Sequence, residues 1–247
     1  MATKNQRKIA HFILQGKGGA GKSFIAMLLA QYLKTSGVSV NCVDTDPVNQ
    51  TFSGYKALDV QFLKLLGESD TTINSRVFDD LMERLIQGEG SYVIDNGATS
   101  FLPLASYIVE NDAITLLEES GCDVYIHTVI NGAQSLTDTV SGFVALAKQP
   151  TFKKIVVWLN EFLGDIEYQG KVFNEMKAYQ DYGNKIHGMV RIPRRNQDTF
   201  ARDIEQMTKA KLTFAEVAND PAFTLMARSR LKRVQDEIFG QLSSMKL

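Results

Sequence analysis

The sequence predicts an α/β fold, a mostly parallel β-sheet flanked by helices on both faces, on three observations. Short β-branched apolar runs alternate with longer amphipathic stretches, the pattern of strands joined by helical crossovers. A glycine-rich turn follows the first apolar run and opens the first amphipathic stretch, as a tight strand-to-helix connection requires. The composition, 44% hydrophobic and 22% charged over 247 residues, allows a substantial buried core.

The first strand is expected over 8–15, and the helix after the turn over 23–36, where Phe24, Met27, Leu28 and Tyr32 recur at helical spacing before Gly37 stops it. VSVNCVD (38–44) completes a βαβ unit with the right-handed crossover such units take. Further strands are expected over 91–95, 123–130, 154–160 and 186–192, and helices over 75–87, 134–148, 168–182 and about 222–243. With no internal repeat, low-complexity linker or composition shift, residues 1–247 read as one domain.

Bulk properties exclude several classes. A formal net charge of −1 does not suit a general polyanion binder, so any nucleic-acid contact would be a local patch. Cys42 and Cys122 lack the spacing of a disulfide framework, a thiolate metal site or an iron–sulfur ligand set. The basic start MATKNQRKIAHFIL has no sustained apolar region, and no apolar run reaches about 18 residues. A cytoplasmic protein is expected, with any membrane association peripheral.

The chemistry concentrates in Gly16-Lys17-Gly18-Gly19-Ala20-Gly21-Lys22-Ser23, which satisfies G-x-x-x-x-G-K-[ST] between a strand and a helix. Glycines let successive N–H groups approach and point at phosphate oxygens, and the helix N-terminus adds its positive end. Lys22 is suited to neutralise the β- and γ-phosphates of a nucleoside triphosphate, and Ser23 to offer its hydroxyl to Mg²⁺. Phe24, next in the chain, counts with the binding residues. Asp44 and Asp46 close the second strand and Asp95 closes SYVID. Since ligands of parallel sheets bind beyond the carboxyl ends of the strands, Ser23, Asp46 and Asp95 should converge there as candidate metal-holding groups. Asp46, fixed by Pro47, could also orient an attacking water, whereas Asp44 could equally be a structural acceptor. Aspartates after strands also cap turns.

KGGAGKS also carries a second lysine, Lys17. With it the sequence resembles the deviant Walker-A ATPases of the ParA/MinD/nitrogenase-iron-protein superfamily, whose loop reads K-G-G-x-G-K-[ST]. That resemblance implies an ATPase that binds Mg·ATP and forms a nucleotide-sandwich homodimer. Lys17 would reach the phosphates bound by the other subunit, a cation delivered in trans that couples hydrolysis to dimerisation. VDTDP is similar to the family's switch I, with Asp46 matching the hydrolysis-linked aspartate, and VIDNGA (93–98) to switch II. VVWLN (156–160) resembles the strand whose asparagine, here Asn160, reads adenine, and RIPRR (191–195) the loop beside base and ribose, with Pro193 in contact. From about 8 to 240, stretches such as DTDPVNQTFSGYKAL, HTVINGAQSLTDTVSGF and KLTF (211–214) resemble the TraL group of plasmid conjugal-transfer proteins, related to the plasmid-stability StbB proteins. The wider family's segregation ATPases usually follow D-x-D-P with Gln-Gly-Asn, where this chain has Val48-Asn49-Gln50, and often carry proline where it has Asn96-Gly97.

Three other signals have plainer readings. His11, His127 and His187 fall in separate strands and read as satisfied or half-buried side chains, without a ligand set around them. Two basic clusters, Arg191, Arg194, Arg195 and Arg202, and Arg228, Arg230, Lys232 and Arg233, read as solvated faces. The resemblance to ParA-type proteins makes nonspecific DNA contact their alternative. The C-terminal run presents Leu231, Val234, Ile238, Leu242 and Met245 on one face. Its polar face mixes Asp236 and Glu237 with cations, which favours docking on the core over an amphipathic membrane helix.

The resulting expectation is an ATP-dependent homodimeric switch, hydrolysing slowly, that engages a plasmid-encoded protein, DNA or the transfer apparatus. A small-molecule synthetase on the same fold and a non-hydrolysing adaptor stay open beside it.

Overall fold

Strand β1 (Lys8–Ile13) is apolar at four of its six positions and buried along almost its whole length, as a strand covered on both faces must be. It stands at the centre of a seven-stranded sheet in the computed structural model, which describes residues 7–65 and 76–247. Along the chain follow α1 (Lys22–Thr35), β2 (Val40–Asp44), β3 (Gln61–Phe62), α2 (Arg76–Gln87), β4 (Ser91–Asp95), α3 (Phe101–Glu110), α4 (Ala113–Glu119) and β5 (Cys122–Asn131). Then come α5 (Leu136–Ala147), β6 (Ile155–Asn160), β7 (Glu167–Tyr168), β8 (Lys171–Val172), α6 (Lys177–Tyr182), β9 (Ile186–Ile192), α7 (Arg202–Lys209), α8 (Phe214–Val217) and α9 (Leu225–Ser244). The sheet order is β3-β2-β4-β1-β5-β6-β9, and every neighbouring pair is parallel.

Alternation along β1 divides the core. Ala10, Phe12 and Leu14 join one apolar cluster with Phe78, Leu104 and Phe143 of α2, α3 and α5. Ile9 and Ile13 join the other with Leu28 of α1, Trp158 of β6 and Leu231 and Ile238 of α9. Each large apolar side chain so buried contributes about 1.5–3 kcal/mol, and covering both faces fixes the register, since a one-residue slip would exchange the clusters.

The strand expectations over 91–95 and 186–192 agree with the structure at both ends, and the other four, with the helix expectations over 23–36, 134–148 and 222–243, agree to within about three residues. The expected helix over 168–182 is corrected. Its first part is the antiparallel hairpin β7–β8, turned by Gln169 and Gly170 at φ +51° and +75°, the left-handed pair a two-residue hairpin turn demands. Helix starts only at Lys177. The first residue of the helix expected over 75–87 lies outside the described residues.

The histidines, far apart in sequence, meet in the structure. Three separate strands bring the histidines to one face of the sheet, where the Trp158 indole donates to His127 Nδ1 at 3.0 Å. His127 Nε2 therefore carries the proton and donates to His11 Nδ1, also at 3.0 Å. His11 Nε2, fully buried, has no partner. Tyr125 stacks on His11 and meets the exposed His187 edge-on. Burial pushes His11 down to about 3 and holds His127 well below the ordinary imidazole value, with His11 and His187 adding to the effect on His127.

Helix α9 is capped by the Thr224 hydroxyl, which accepts from Ala227 N. Ala227, Leu231, Val234, Ile238 and Leu242 are buried against the sheet side, and Gln241 bonds both the N–H and the C=O of Arg191 on the edge strand β9, at 2.7 and 2.9 Å. An amide thus closes part of an edge that could otherwise pair with another chain. No helix among the described residues is long and apolar enough to cross a membrane.

Candidate nucleotide-binding site

The loop after β1 turns through Gly19 and Gly21 at φ +69° and +97°, conformations other residues rarely adopt. Gly18 and Gly19 face open space. Gly16 packs against the Phe101 ring, so a Cβ there would stand 3.0 Å from it. Ala20 is buried. α1 begins at Lys22 with no acidic residue in its first turn and no side-chain cap, which leaves its positive end and orphan N–H groups for an anion.

Lys22 is 8% exposed and folds back so that Nζ donates to Lys17 O at 3.3 Å. Burial lowers its pKa, while Asp95 and Asp46 act to raise it. Asp95 is 1% exposed, and neither carboxylate oxygen has a hydrogen-bond partner. Burial drives its pKa up to about 7, and Asp44 and Asp46 push the same way. Ser23 and Lys22 oppose this, although Ser23 comes near without completing a hydrogen bond to either oxygen. A buried carboxylate left unpaired is a strong demand for a cation. The set fits Mg²⁺: two protein oxygens, from Ser23 and Asp95, leave the remaining positions to phosphate and water.

The other two aspartates are already engaged. Asp46 accepts from Val48 N and Asn49 N at 2.9 and 3.2 Å through one oxygen, and from Asn49 Nδ2 at 3.2 Å through the other. It caps the turn after β2, the role aspartates commonly take after strands. Gly97 allows this approach, since a Cβ would stand 2.8 Å from Asp46 Oδ1. Asp44 is the structural acceptor, receiving Asp46 N, Ser53 N and Ser53 Oγ at 2.8–3.0 Å. The Thr45 hydroxyl donates to Asp95 O at 3.0 Å and ties the segments after β2 and β4 together.

Lys17 is not a free loop cation. Its ammonium pairs with Asp138 of α5 at 2.7 Å, with the two side chains 41% and 55% exposed. Beneath it, fully buried Gln15 donates to Val129 O and Thr139 O at 2.8 and 3.1 Å and accepts from Lys17 N at 3.3 Å. Gly142 of α5 makes room, since a Cβ would lie 2.1 Å from Gln15 Oε1. The loop and α5 are therefore joined twice, once in the core and once at the surface. Neither Gln15 nor Asp138 belongs to a motif; a polar residue ending an apolar strand is the available signal for the first.

Beside the loop opens a cavity of about 700 Å³, lined by Gly19, Gly21, Phe24, Asn160 and Pro193 among others. The expected base-side residues thus meet there, with Ile192 and Ile238 adding apolar wall, a form suited to a flat ring beside a phosphate cradle. Asn131, which sequence reasoning did not single out, lines the same cavity.

Most basic-cluster side chains are paired. Arg191 meets Glu161 at 2.8 Å and Arg230 meets Asp203 at 2.5 Å, while Arg195 pairs with Glu237, Lys232 with Asp236 and Arg202 with Asp198. Arg195 and Arg233 flank the Phe200 ring. This pairing reduces the charge left for a polyanion.

The family described as the CobQ/CobB/MinD/ParA nucleotide binding domain matches residues 11–230. Two Escherichia coli proteins, each called Protein TraL, are 46% identical over 235 residues, covering 95% of this chain and 97% of theirs. Among solved structures, the MinD cell division protein of Aquifex aeolicus superposes with a TM-score of 0.53 at 15% identity, covering 94% of this chain and 97% of that one. The septum site-determining protein MinD of Pyrococcus horikoshii, solved with Mg-ADP, gives 0.51 at 18% identity, covering 97% and 98%. At such identities these two structures establish the fold.

Proposed function

Because the chain belongs to the CobQ/CobB/MinD/ParA nucleotide binding domain family and groups with the TraL proteins, we propose that it is a Mg·ATP-dependent switch. In this reading it closes into a homodimer around nucleotide and hydrolyses ATP slowly, in plasmid conjugal transfer or maintenance. The observation that carries the reading is Asp95, a buried carboxylate with both oxygens unpartnered beside Ser23 and Lys22 at the base of the glycine loop.

Loop N–H groups and Lys22 bind the phosphates, with the lysine leaving the carbonyl of Lys17 to do so. Ser23 and Asp95 would hold Mg²⁺, which would supply neutralisation of the phosphate charge. Asp46 orients the attacking water once its turn contacts open. Lys17 leaves Asp138 and enters the partner subunit's site. Exposed Val48 and Leu102, at 69% and 68%, stand close in sequence to the segments bearing Asp46 and Asp95 and supply apolar surface for the second copy. A plasmid-encoded protein then reads the dimer; nonspecific DNA is a lesser candidate, given the paired cations.

Light scattering without nucleotide, with Mg·ADP and with Mg·ATP tests this. A dimer only with Mg·ATP supports the switch, and a mass indifferent to nucleotide rejects it. One observation favours a second reading: both Asp46 oxygens are occupied, as in an adaptor that binds ATP without hydrolysing it. Phosphate release under saturating ATP separates the two.

A further inference from the structure

We propose that Asn131 recognises the exocyclic amino group of the base, so that two asparagines on adjacent strands share the reading of adenine. The inference rests on the ATP reading above and adds to it a residue and a reason for base choice.

Asn131 ends β5 and Asn160 ends β6, paired in register. In-register residues of neighbouring strands put their side chains on one face, with the strands about 4.8 Å apart. Both residues line the cavity beside the glycine loop. Two side-chain amides therefore stand together where a base would lie.

Their hydrogen-bonding states differ. Asn160 Oδ1 already accepts from Phe162 N at 3.2 Å, while its Nδ2 lies on the Gly21 side, 3.4 Å from where a Gly21 Cβ would be. What Asn160 has left for a ligand is thus a donor. Asn131 is 1% exposed, and its Oδ1 has no partner. Its backbone is fixed, because Asn131 N donates to the Thr139 hydroxyl at 3.1 Å, which in turn donates to Ser135 O at 2.7 Å. A buried acceptor held unpaired is costly; Oδ1 is sealed from solvent in the nucleotide-free chain, and a turn of the side-chain amide toward the cavity would let a ligand's donor satisfy it.

One donor and one acceptor match the amino edge of adenine, where a ring nitrogen accepts and N6 donates. Guanine has an oxygen at that position and would face Asn131 Oδ1 with like partial charge. A site whose buried groups are left unpaired by the wrong ligand discriminates strongly.

The test is calorimetric titration of the full chain with Mg·ATP, Mg·GTP and the Mg²⁺ salt of purine riboside triphosphate, in which hydrogen replaces the amino group. The parent should bind ATP about 10- to 100-fold more tightly than either of the others. Asn131→Leu should bring ATP down to the level of the analogue, and a retained cooperative melting transition shows the variant to be folded. Asn131→Asp keeps an acceptor and should keep the preference for ATP over the analogue. Should the leucine variant fail to fold, Asn131→Ala replaces it. A parent that binds ATP and the analogue equally, or a variant without the acceptor that keeps the parent's ratio, overturns the proposal while leaving the ATP reading intact. A parent that binds none of the three nucleotides overturns both.

Discussion

Two buried polar regions of this sheet treat charge in opposite ways. At the carboxyl ends of the strands, Asp95 lies in the interior with neither oxygen satisfied, between two further aspartates and a lysine. On one face of the sheet, Trp158, His127 and His11 form a chain of neutral hydrogen bonds that leaves a single N–H over. In the proposed reading the first takes a cation and an anion from outside, whereas the second serves the protein alone. Unmet hydrogen bonding beside a cavity marks a ligand site; the same burial with partners supplied marks structure.

The two regions should oppose each other in pH. A carboxyl group raised from 3.8 to about 7 in the folded chain contributes stability that is fully present below its unfolded value and is lost as pH rises through the folded one. In the nucleotide-free, metal-free chain at pH 8 this loss is about 4 kcal/mol. Asp95→Asn should therefore raise the melting temperature at pH 8 much more than at pH 4, while abolishing Mg²⁺-dependent ATP binding. Equal melting of parent and variant across that range would end the contrast.

Imidazoles depressed by burial act with the other sign. Below about 6.5 the unfolded chain takes up protons that folded His11 and His127 refuse, so stability falls as pH falls from there towards about 3. Between pH 6.5 and 5 the loss from His11 is about 2 kcal/mol, and His127 adds a loss of the same sign. Denaturant titrations of Asp95→Asn over that interval isolate this term, and a flat profile would mean the histidines charge without unfolding the chain.

Lys22→Ala sharpens the contrast from the ligand side. It removes a charge-assisted contact of about 1.5–3 kcal/mol and should weaken ATP about 10- to 100-fold, measured by direct titration. Retained affinity would move phosphate binding away from the loop.

The fold and the phosphate loop were legible in the sequence because each depends on local pattern: apolar runs for the central strands, glycines and a lysine for the loop. Elements too short for a period were not. The hairpin β7–β8 has two residues per strand, and its real signal, Gln169-Gly170, is a turn pair rather than a pattern. Among site residues, Lys22, Ser23 and Asp95 follow from type and position, whereas Asn131 shows its interest only through an oxygen without a partner. The histidines, 116 residues apart in the case of His11 and His127, met only through the strand order.

The smallest expected effect on stability belongs to the pair that joins the glycine loop to α5. Lys17 and Asp138 are both substantially exposed, so breaking their contact should alter stability by at most about 1 kcal/mol. Assembly should respond more sharply, and in opposite directions for the two partners. Lys17→Ala removes the cation that would cross to the second subunit and should lower ATP-dependent dimerisation. Asp138→Ala removes only what holds that cation at home and should raise it, because the lysine no longer has to leave a carboxylate first. Light scattering of both variants with Mg·ATP decides: if both weaken the dimer alike, Asp138 belongs to the interface itself, and the lysine in this monomer is not being held back.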